Sequence, residues 1–428
     1  MGRIKKYKLI LISALIIGLS SFSWLVDNYL KNERAPNIPQ KLLEEMTALN
    51  TKYNLVSAEP LDQKSLSPYL ASLLNANVFQ ASVIETDEPK QDLIVKFKAN
   101  DQSDQNLNNI LILKLQTGAE IEKIAVEYGK LEGVKFAEPN YKVELTTPKY
   151  AKRTTNTNKE KANKEPAKQD PLTTQANPTS RANPTTQATP KNIIIGLIDS
   201  GVDVTHPDLQ GKFVQGWDFI NNQKEEKDEI GHGTHIAGII TKYSKSALIM
   251  PLKFTDSKTG RLIDVVKAIK FASDSDKSVK IINLSLGLKE ASQTLKEAVD
   301  YAQEKNIIIV AAAGNDNSDV KYYPAAWPEV ISVAAVDSKD EKVFVSNYGN
   351  WVKYSAQGQD IYSTVPDGKY AYSTGTSQAA PVVTAKIAEI LSNLSDSANT
   401  LSEIDSQLKK SSKTPKGKYA DKLGAVID

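Results

Sequence analysis

The sequence predicts an α/β fold class: a doubly wound, mostly parallel sheet flanked by helices over residues 191–428, preceded by a small α+β domain. Three observations predict it. Near-continuous apolar runs recur at Ile193–Ile198, Ile281–Leu286, Ile307–Ala313 and Val330–Val336, and strands apolar on both faces belong in a parallel sheet covered on both sides. Helical periods lie between these runs, Leu262, Val266 and Ile269 on one and Leu295, Ala298, Val299 and Ala302 on the next. A last helix follows Ser377, through Val383, Ile387, Ile390 and Leu394. Such alternation winds into a doubly covered sheet, whose ligands bind beyond the carboxyl ends of its strands.

Upstream, Asp92–Lys98 (DLIVKFK) and Ile110–Leu115 (ILILKL) read as strands, Ala119–Leu131 as an amphipathic helix and Val134–Leu145 as another strand. Residues 30–85 are mixed, with a helical stretch near Ile38–Leu49, and no role follows from their pattern. Between 146 and 190 Thr, Asn, Pro, Lys and Gln dominate, and Asn-Pro-Thr occurs at 177–179 and 183–185. This stretch cannot bury enough apolar surface to offset its ordering entropy, so it reads as a linker. At the N-terminus, Arg3, Lys5, Lys6 and Lys8 precede an uncharged run from Leu9 to Val26. A basic flank before an apolar run is a targeting pattern, either a cleaved signal peptide or a signal anchor over 1–29, and both place the remainder outside the cytoplasm.

Composition narrows the chemistry. The 428 residues carry 53 Lys+Arg against 51 Asp+Glu, a net charge of +2 that argues against a nucleic-acid partner. With no cysteine, disulfides, thiolate metal sites and cysteine nucleophiles are excluded. Imidazole chemistry must use His206, His232 or His235, the three histidines present.

Candidate reactive groups fall at the ends of the predicted strands. Asp199-Ser200-Gly201 ends the first run and Gly314-Asn315 the third. Gly231-His232-Gly233-Thr234-His235 opens a helix, and Gly375-Thr376-Ser377-Gln378-Ala379-Ala380-Pro381 opens the last one, with Pro381 tolerable only near its first turn. Singly, these segments read as turns and helix caps. Together their types suit nucleophilic acyl transfer. His232 can take the proton of Ser377 Oγ, and Asp199 can orient and stabilise the resulting imidazolium. The Asn315 side-chain amide and the Ser377 backbone N–H would donate to the developing oxyanion. His232 and His235 could also ligate a metal, but no third ligand is evident.

These residues resemble the subtilisin-like serine proteases, the subtilase family. The matches are Ile198-Asp199-Ser200-Gly201 with His206-Pro207-Asp208-Leu209, Gly-His-Gly-Thr-His-Ile-Ala-Gly at 231–238, Asn-Leu-Ser-Leu-Gly at 283–287, Ala-Ala-Ala-Gly-Asn at 311–315 and Gly-Thr-Ser-Gln-Ala-Ala-Pro at 375–381. The order Asp, His, Ser is the family's own. The resemblance spans about 190–428 and implies a serine endopeptidase with His232 rather than His235 as base. Residues Asp92–Leu145, above all Val134-Lys135-Phe136-Ala137-Glu138-Pro139-Asn140-Tyr141, resemble the family's inhibitor-like propeptide. That implies a zymogen spanning a propeptide region at 30–145, with the propeptide as intramolecular inhibitor and self-cleavage between about 145 and 190. A polypeptide substrate, no cofactor and a monomer are implied. Whether the role is general degradation or maturation of one partner stays open.

By the same resemblance Ser285, Leu286 and Gly287 pair with an extended peptide by strand addition, and Ala312, Ala313 and Gly314 line the wall of the S1 pocket. Tyr322 falls where relatives have a small residue at the pocket floor, which would favour small or medium side chains at the cut. The sequence also departs from the family. Ile239 to Ser246 leaves no room for the calcium loop many relatives insert, and Asp208 remains without its partners, so no strong calcium site of that kind is expected. Glu225-Glu226-Lys227-Asp228-Glu229 reads as a solvated acidic loop. Gln378 replaces a Met that often follows the nucleophile, removing an oxidisable thioether. Leu423-Gly424-Ala425-Val426 looks like the family's closing segment.

Overall fold

The computed structural model describes residues 38–63, 66–76, 78–79, 90–98, 107–146, 191–224, 227–394 and 401–428. The apolar run Leu9–Val26 and the segment 147–190 lie outside the described residues. Among those described, no helix is long and apolar enough to cross a membrane.

The N-terminal unit comprises α1 (Gln40–Lys52), β1 (Leu55–Pro60), α2 (Pro68–Asn75), β2 (Lys90–Phe97), β3 (Ile110–Gln116), α3 (Ile121–Gly129), β4 (Val134–Pro139) and β5 (Lys142–Leu145). Four strands form an antiparallel sheet in the order β1-β3-β2-β4. Because side chains alternate across a strand, Leu111, Leu113 and Leu115 join Leu93 and Val95 under the three helices, against Leu42, Met46, Leu70 and Ile124. Ile94 and Ile110 face the other way, into a core shared with the C-terminal domain. That double burial is why ILILKL is apolar on both faces although its sheet is antiparallel. The described residues between 38 and 79, whose pattern offers a helical stretch near Ile38–Leu49 but no role, belong to this unit; α1 buries only Leu42, Met46 and Asn50, so its periodicity is faint.

The single strand expected over Val134–Leu145 is two. After Pro139 the chain turns through Asn140 and Tyr141 and leaves the sheet, and β5 pairs with the other domain.

The C-terminal domain contains β6 (Ile193–Asp199), β7 (Trp217–Asp218), α4 (His232–Tyr243), β8 (Ala247–Lys253), β9 (Thr259–Arg261), α5 (Leu262–Asp274), β10 (Ile281–Leu284), β11 (Leu286–Gly287), α6 (Gln293–Glu304), β12 (Ile308–Ala312), β13 (Ile331–Val336), β14 (Tyr354–Gln357), β15 (Ile361–Val365), β16 (Lys369–Ser373), α7 (Thr376–Asn393), α8 (Leu401–Lys410) and β17 (Ala425–Ile427). Its eight-stranded sheet, in the order β17-β14-β13-β12-β10-β6-β8-β7, is parallel at every pairing. Helices α5 and α6 cover one face; α4, α7 and α8 cover the other. This is the doubly wound fold the sequence predicts. From β6 the chain proceeds to β8 on one side and β10 on the other, and a crevice opens where strand order reverses. Asp199 ends β6 at that crevice.

Pro381 lies in the second turn of α7, not the first. Lacking an N–H, it leaves the Ser377 carbonyl without its helical donor. Ser285 Oγ donates to that carbonyl instead, at 3.2 Å.

Candidate active site

The end of β6 and the start of α4 are fastened together before any reactive group is considered. A Cβ on Gly233 would come within 2.0 Å of the Gly201 carbonyl oxygen, so only glycine allows this approach. Asp228 then caps α4 from within the protein. Its carboxylate accepts from Ser200 Oγ at 2.8 Å, Gly231 N at 2.8 Å, Thr234 N at 2.8 Å and Thr234 Oγ1 at 2.6 Å. Burial pushes this carboxyl up in spite of those bonds. The solvated acidic loop expected at 225–229 is therefore corrected. Residues 225 and 226 lie outside the described residues, Asp228 is a buried helix cap, and Glu229 pairs with the ammonium of buried Lys253. The reason is that α4 begins deep in the crevice, where its free N–H groups need an acceptor that water cannot supply.

So held, His232 presents Nδ1 to Asp199 Oδ1 at 2.7 Å, and Ser200 N donates to the same oxygen at 2.7 Å. His232 Nε2 makes no hydrogen bond among the described residues. Burial opposes charging this imidazole, but the Asp199 carboxylate outweighs it and holds its pKa above the ordinary range. A proton-accepting imidazole must be neutral, so activity should fall as pH drops through that raised pKa. The acid limb of kcat/KM for the processed enzyme is expected above pH ~6.5, the unperturbed histidine value. A limb below pH ~6 would contradict this.

The other histidines are committed elsewhere. His235, lowered to about 4 mainly by burial, meets the Ala371 carbonyl through Nε2 at 3.2 Å. His206 contacts the Lys369 carbonyl and accepts from Asp208 N. Asp208 accepts from the Tyr370 hydroxyl at 2.7 Å. Among the described residues no group of three or more His, Asp and Glu could hold a metal.

The crevice is filled by the protein's own chain. β5 lies antiparallel between β11 and β9, with Leu145 opposite Leu286, Glu144 opposite Gly287 and Lys142 opposite Arg261. Ser285, Leu286 and Gly287 thus pair with an extended segment of the chain itself. Thr146 N continues the ladder to the Ser285 carbonyl at 3.1 Å. The Thr146 carbonyl oxygen accepts from Ser377 Oγ at 2.8 Å and from Asn315 Nδ2. Asn315 is oriented by its other end, since Oδ1 accepts from Thr376 N at 2.9 Å and Thr376 Oγ1 at 3.1 Å. In this arrangement the contact from Ser377 to this carbonyl is made by its hydroxyl.

Two contacts seat β5 from the N-terminal unit. The Glu138 carboxylate accepts from the N-cap hydroxyl Ser292 Oγ at 2.7 Å and from two free N–H groups of the first turn of α6, Gln293 N at 3.0 Å and Thr294 N at 2.8 Å. Asn140 Oδ1 accepts from Ile263 N at 3.0 Å at the start of α5. Such caps contribute about 0.5–2 kcal/mol each. Lys96 and Lys135 both pair with Glu297, at 3.1 and 3.0 Å.

Of the pocket residues, Gly287 and Gly314 flank the Tyr322 ring, and Ala312 and Ala313 are buried in the strand leading to Gly314. Asp228, Thr376 and Thr146 were not singled out from the sequence. The first two stand inside the quoted motifs, so proximity to His232 and Ser377 was the available signal; for Thr146 there was none.

The family model described as the Subtilase family matches residues 190–422. A thermophilic serine proteinase of Bacillus sp. (strain AK1) is 42% identical over 210 residues, 46% of this chain and 52% of that protein, so the match spans about half of that relative's length. Thermitase of Thermoactinomyces vulgaris is 39% identical over 218 residues, 48% of this chain and 77% of thermitase. Among solved structures, a cold adapted subtilisin-like serine proteinase aligns with a TM-score of 0.51 and 27% identity, covering 58% of this chain and 92% of its own. Fervidolysin from Fervidobacterium pennivorans shares the fold at a TM-score of 0.61 and 24% identity, over 81% of this chain and 61% of its own.

Proposed function

The chain belongs to the subtilase family of serine-type endopeptidases, and on that premise we propose that it is made as a zymogen whose residues 38–146 are both its inhibitor and its first substrate. The observation that carries the reading is the Thr146 carbonyl, held by Asn315 Nδ2 and in contact with Ser377 Oγ. In this reading Ser377 Oγ attacks the Thr146 carbonyl carbon. His232 Nε2 takes the hydroxyl proton, and Asp199 stabilises the imidazolium. Asn315 Nδ2 donates to the carbonyl oxygen as negative charge develops on it. The imidazolium then protonates the Thr147 nitrogen as the bond breaks, and water hydrolyses the acyl-enzyme.

After the cut, residues up to Thr146 stay bound through the β5 ladder and the Glu138 and Asn140 caps, so cleavage alone does not open the crevice. Segment 147–190 stays joined to the protease. The basic and apolar N-terminus supports an extracytoplasmic location. If Leu9–Val26 is an anchor, cleavage after Thr146 also severs the protease from it.

An active-site fluorophosphonate tests this on purified 30–428. Label is expected on Ser377 only in molecules that begin at Thr147 and have shed the N-terminal fragment. Equal labelling of the uncut chain, or none at any stage, would contradict the proposal.

A further inference from the structure

We propose that Asn347 is a positioning residue for the reaction: it fixes the loop that carries Asn315 and so sets where the oxyanion donor points. The inference goes beyond the zymogen reading and rests only on Asn315 serving as that donor. Asn315 lies in the loop 314–318 that follows β12, between two residues with left-handed backbone, Gly314 at φ +102° and Asn317 at φ +52°. Outside the strand no sheet ladder holds this loop, and a small rotation in it would swing the Asn315 amide off the carbonyl oxygen.

Asn347 supplies the missing bonds from a second loop, residues 342–348 after β13. Its side chain is fully buried and is used at both ends. Nδ2 donates to the Ala313 carbonyl at 3.0 Å, while Oδ1 accepts from Asp316 N at 2.9 Å and Ser318 N at 3.2 Å. The Asn347 backbone N donates to the Gly314 carbonyl at 2.9 Å. One residue thus grips the chain on both sides of Asn315. An amide suits the task because it carries a donor and an acceptor on separate atoms of one short side chain. A Cβ on Gly314 would collide with Asn347 Nδ2, so glycine there leaves room for the amide.

The second loop is itself anchored. Val343 N donates to the Ala335 carbonyl at 3.0 Å and Ser346 Oγ accepts from Ala335 N at 2.9 Å, which hangs the loop from β13. The Lys342 ammonium gathers it further, donating to the Val343, Phe344 and Ser346 carbonyls at 3.0, 3.1 and 2.9 Å. The same ammonium reaches across to Asn317 Oδ1 at 2.7 Å, and Asn317 N donates to the Val345 carbonyl at 2.9 Å, so the two loops are joined at further points. None of the hydrogen bonds of Asn347 among the described residues reaches Thr146, Ser377 or His232. It acts on the reaction through Asn315.

The test is a double-mutant cycle on self-processing of 30–428, with single-turnover rates followed by intact mass for the parent, Asn347→Ala, Asn315→Ala and the double variant. Asn347→Ala should slow the cut by about 10- to 10²-fold, the upper figure being the cost of misplacing a reacting group by about 1 Å. Its loss should not exceed that of Asn315→Ala, through which it acts. In the Asn315→Ala background the same substitution should cost less than about twofold, since no amide is left to aim. A residue that only holds the fold together would slow both backgrounds alike. The proposal is overturned if the two losses multiply, or if a folded Asn347→Ala cuts at the parent rate. Should Asn347→Ala fail to fold, Lys342→Met in the same cycle decides by the same pattern, because it frees the second loop and leaves the Asn347 side chain in place. If Asn315→Ala itself costs nothing, the oxyanion role falls and this inference with it. A parent that never shortens counts against the zymogen reading alone, and the four rates are then read on added casein.

Discussion

His232→Ala is expected to slow cleavage after Thr146 by about 10⁶, the size of the loss when subtilisin's own histidine is removed. The magnitude is borrowed; the reason it should hold here is local. The chain has three histidines, and the other two are spent. His235 Nε2 is turned to the Ala371 carbonyl, and burial keeps the ring uncharged. His206 is tied through both ring nitrogens to Lys369 and Asp208. Without His232, the Ser377 hydroxyl would have to lose its proton to water in a crevice that β5 fills. Single-turnover processing followed by mass measures the loss. A rate within about a hundredfold of the parent would show that another group serves as base.

Asn315→Ala should lower the processing rate by about 10²–10³, again the magnitude belonging to subtilisin's oxyanion asparagine. The geometry argues for a loss in kcat on peptide substrates with little change in KM, because the amide is aimed at a carbonyl oxygen and not at a side chain. Asn315→Asp makes the sharper comparison. It could keep the two bonds from Thr376 that orient the side chain, yet it would offer an oxygen where a donor is needed. Its loss should equal or exceed that of alanine. An aspartate variant that retained most of the activity would place the oxyanion donors elsewhere.

The C-terminal sheet was legible because its strands are buried on both faces. Four predicted runs correspond to β6, β10 with β11, β12 and β13, and differ from them mainly at their ends. Asp199 ends a strand, His232 and Ser377 open helices and Asn315 follows β12 by three residues, and the fold gathers those ends at one crevice. What escaped depends on contacts between distant segments. Asn140 lies within the single strand the sequence suggests over Val134–Leu145, and only the start of α5 opposite it shows the break there and what its side chain caps. Asp228 looks solvated in a run of charges, and only the depth at which α4 begins makes it a cap. Thr146 is one threonine in a polar stretch, and nothing local marks it as the residue lying against Ser377, 231 positions away.

The most direct measurement is to incubate purified 30–428 beside its Ser377→Ala copy and follow both by intact mass and N-terminal sequence. The parent is expected to divide once, yielding a fragment that begins at Thr147, while the alanine copy stays whole. If both stay whole, if both divide alike, or if the new N-terminus lies elsewhere in 147–190, then Thr146 is not the residue this enzyme attacks first.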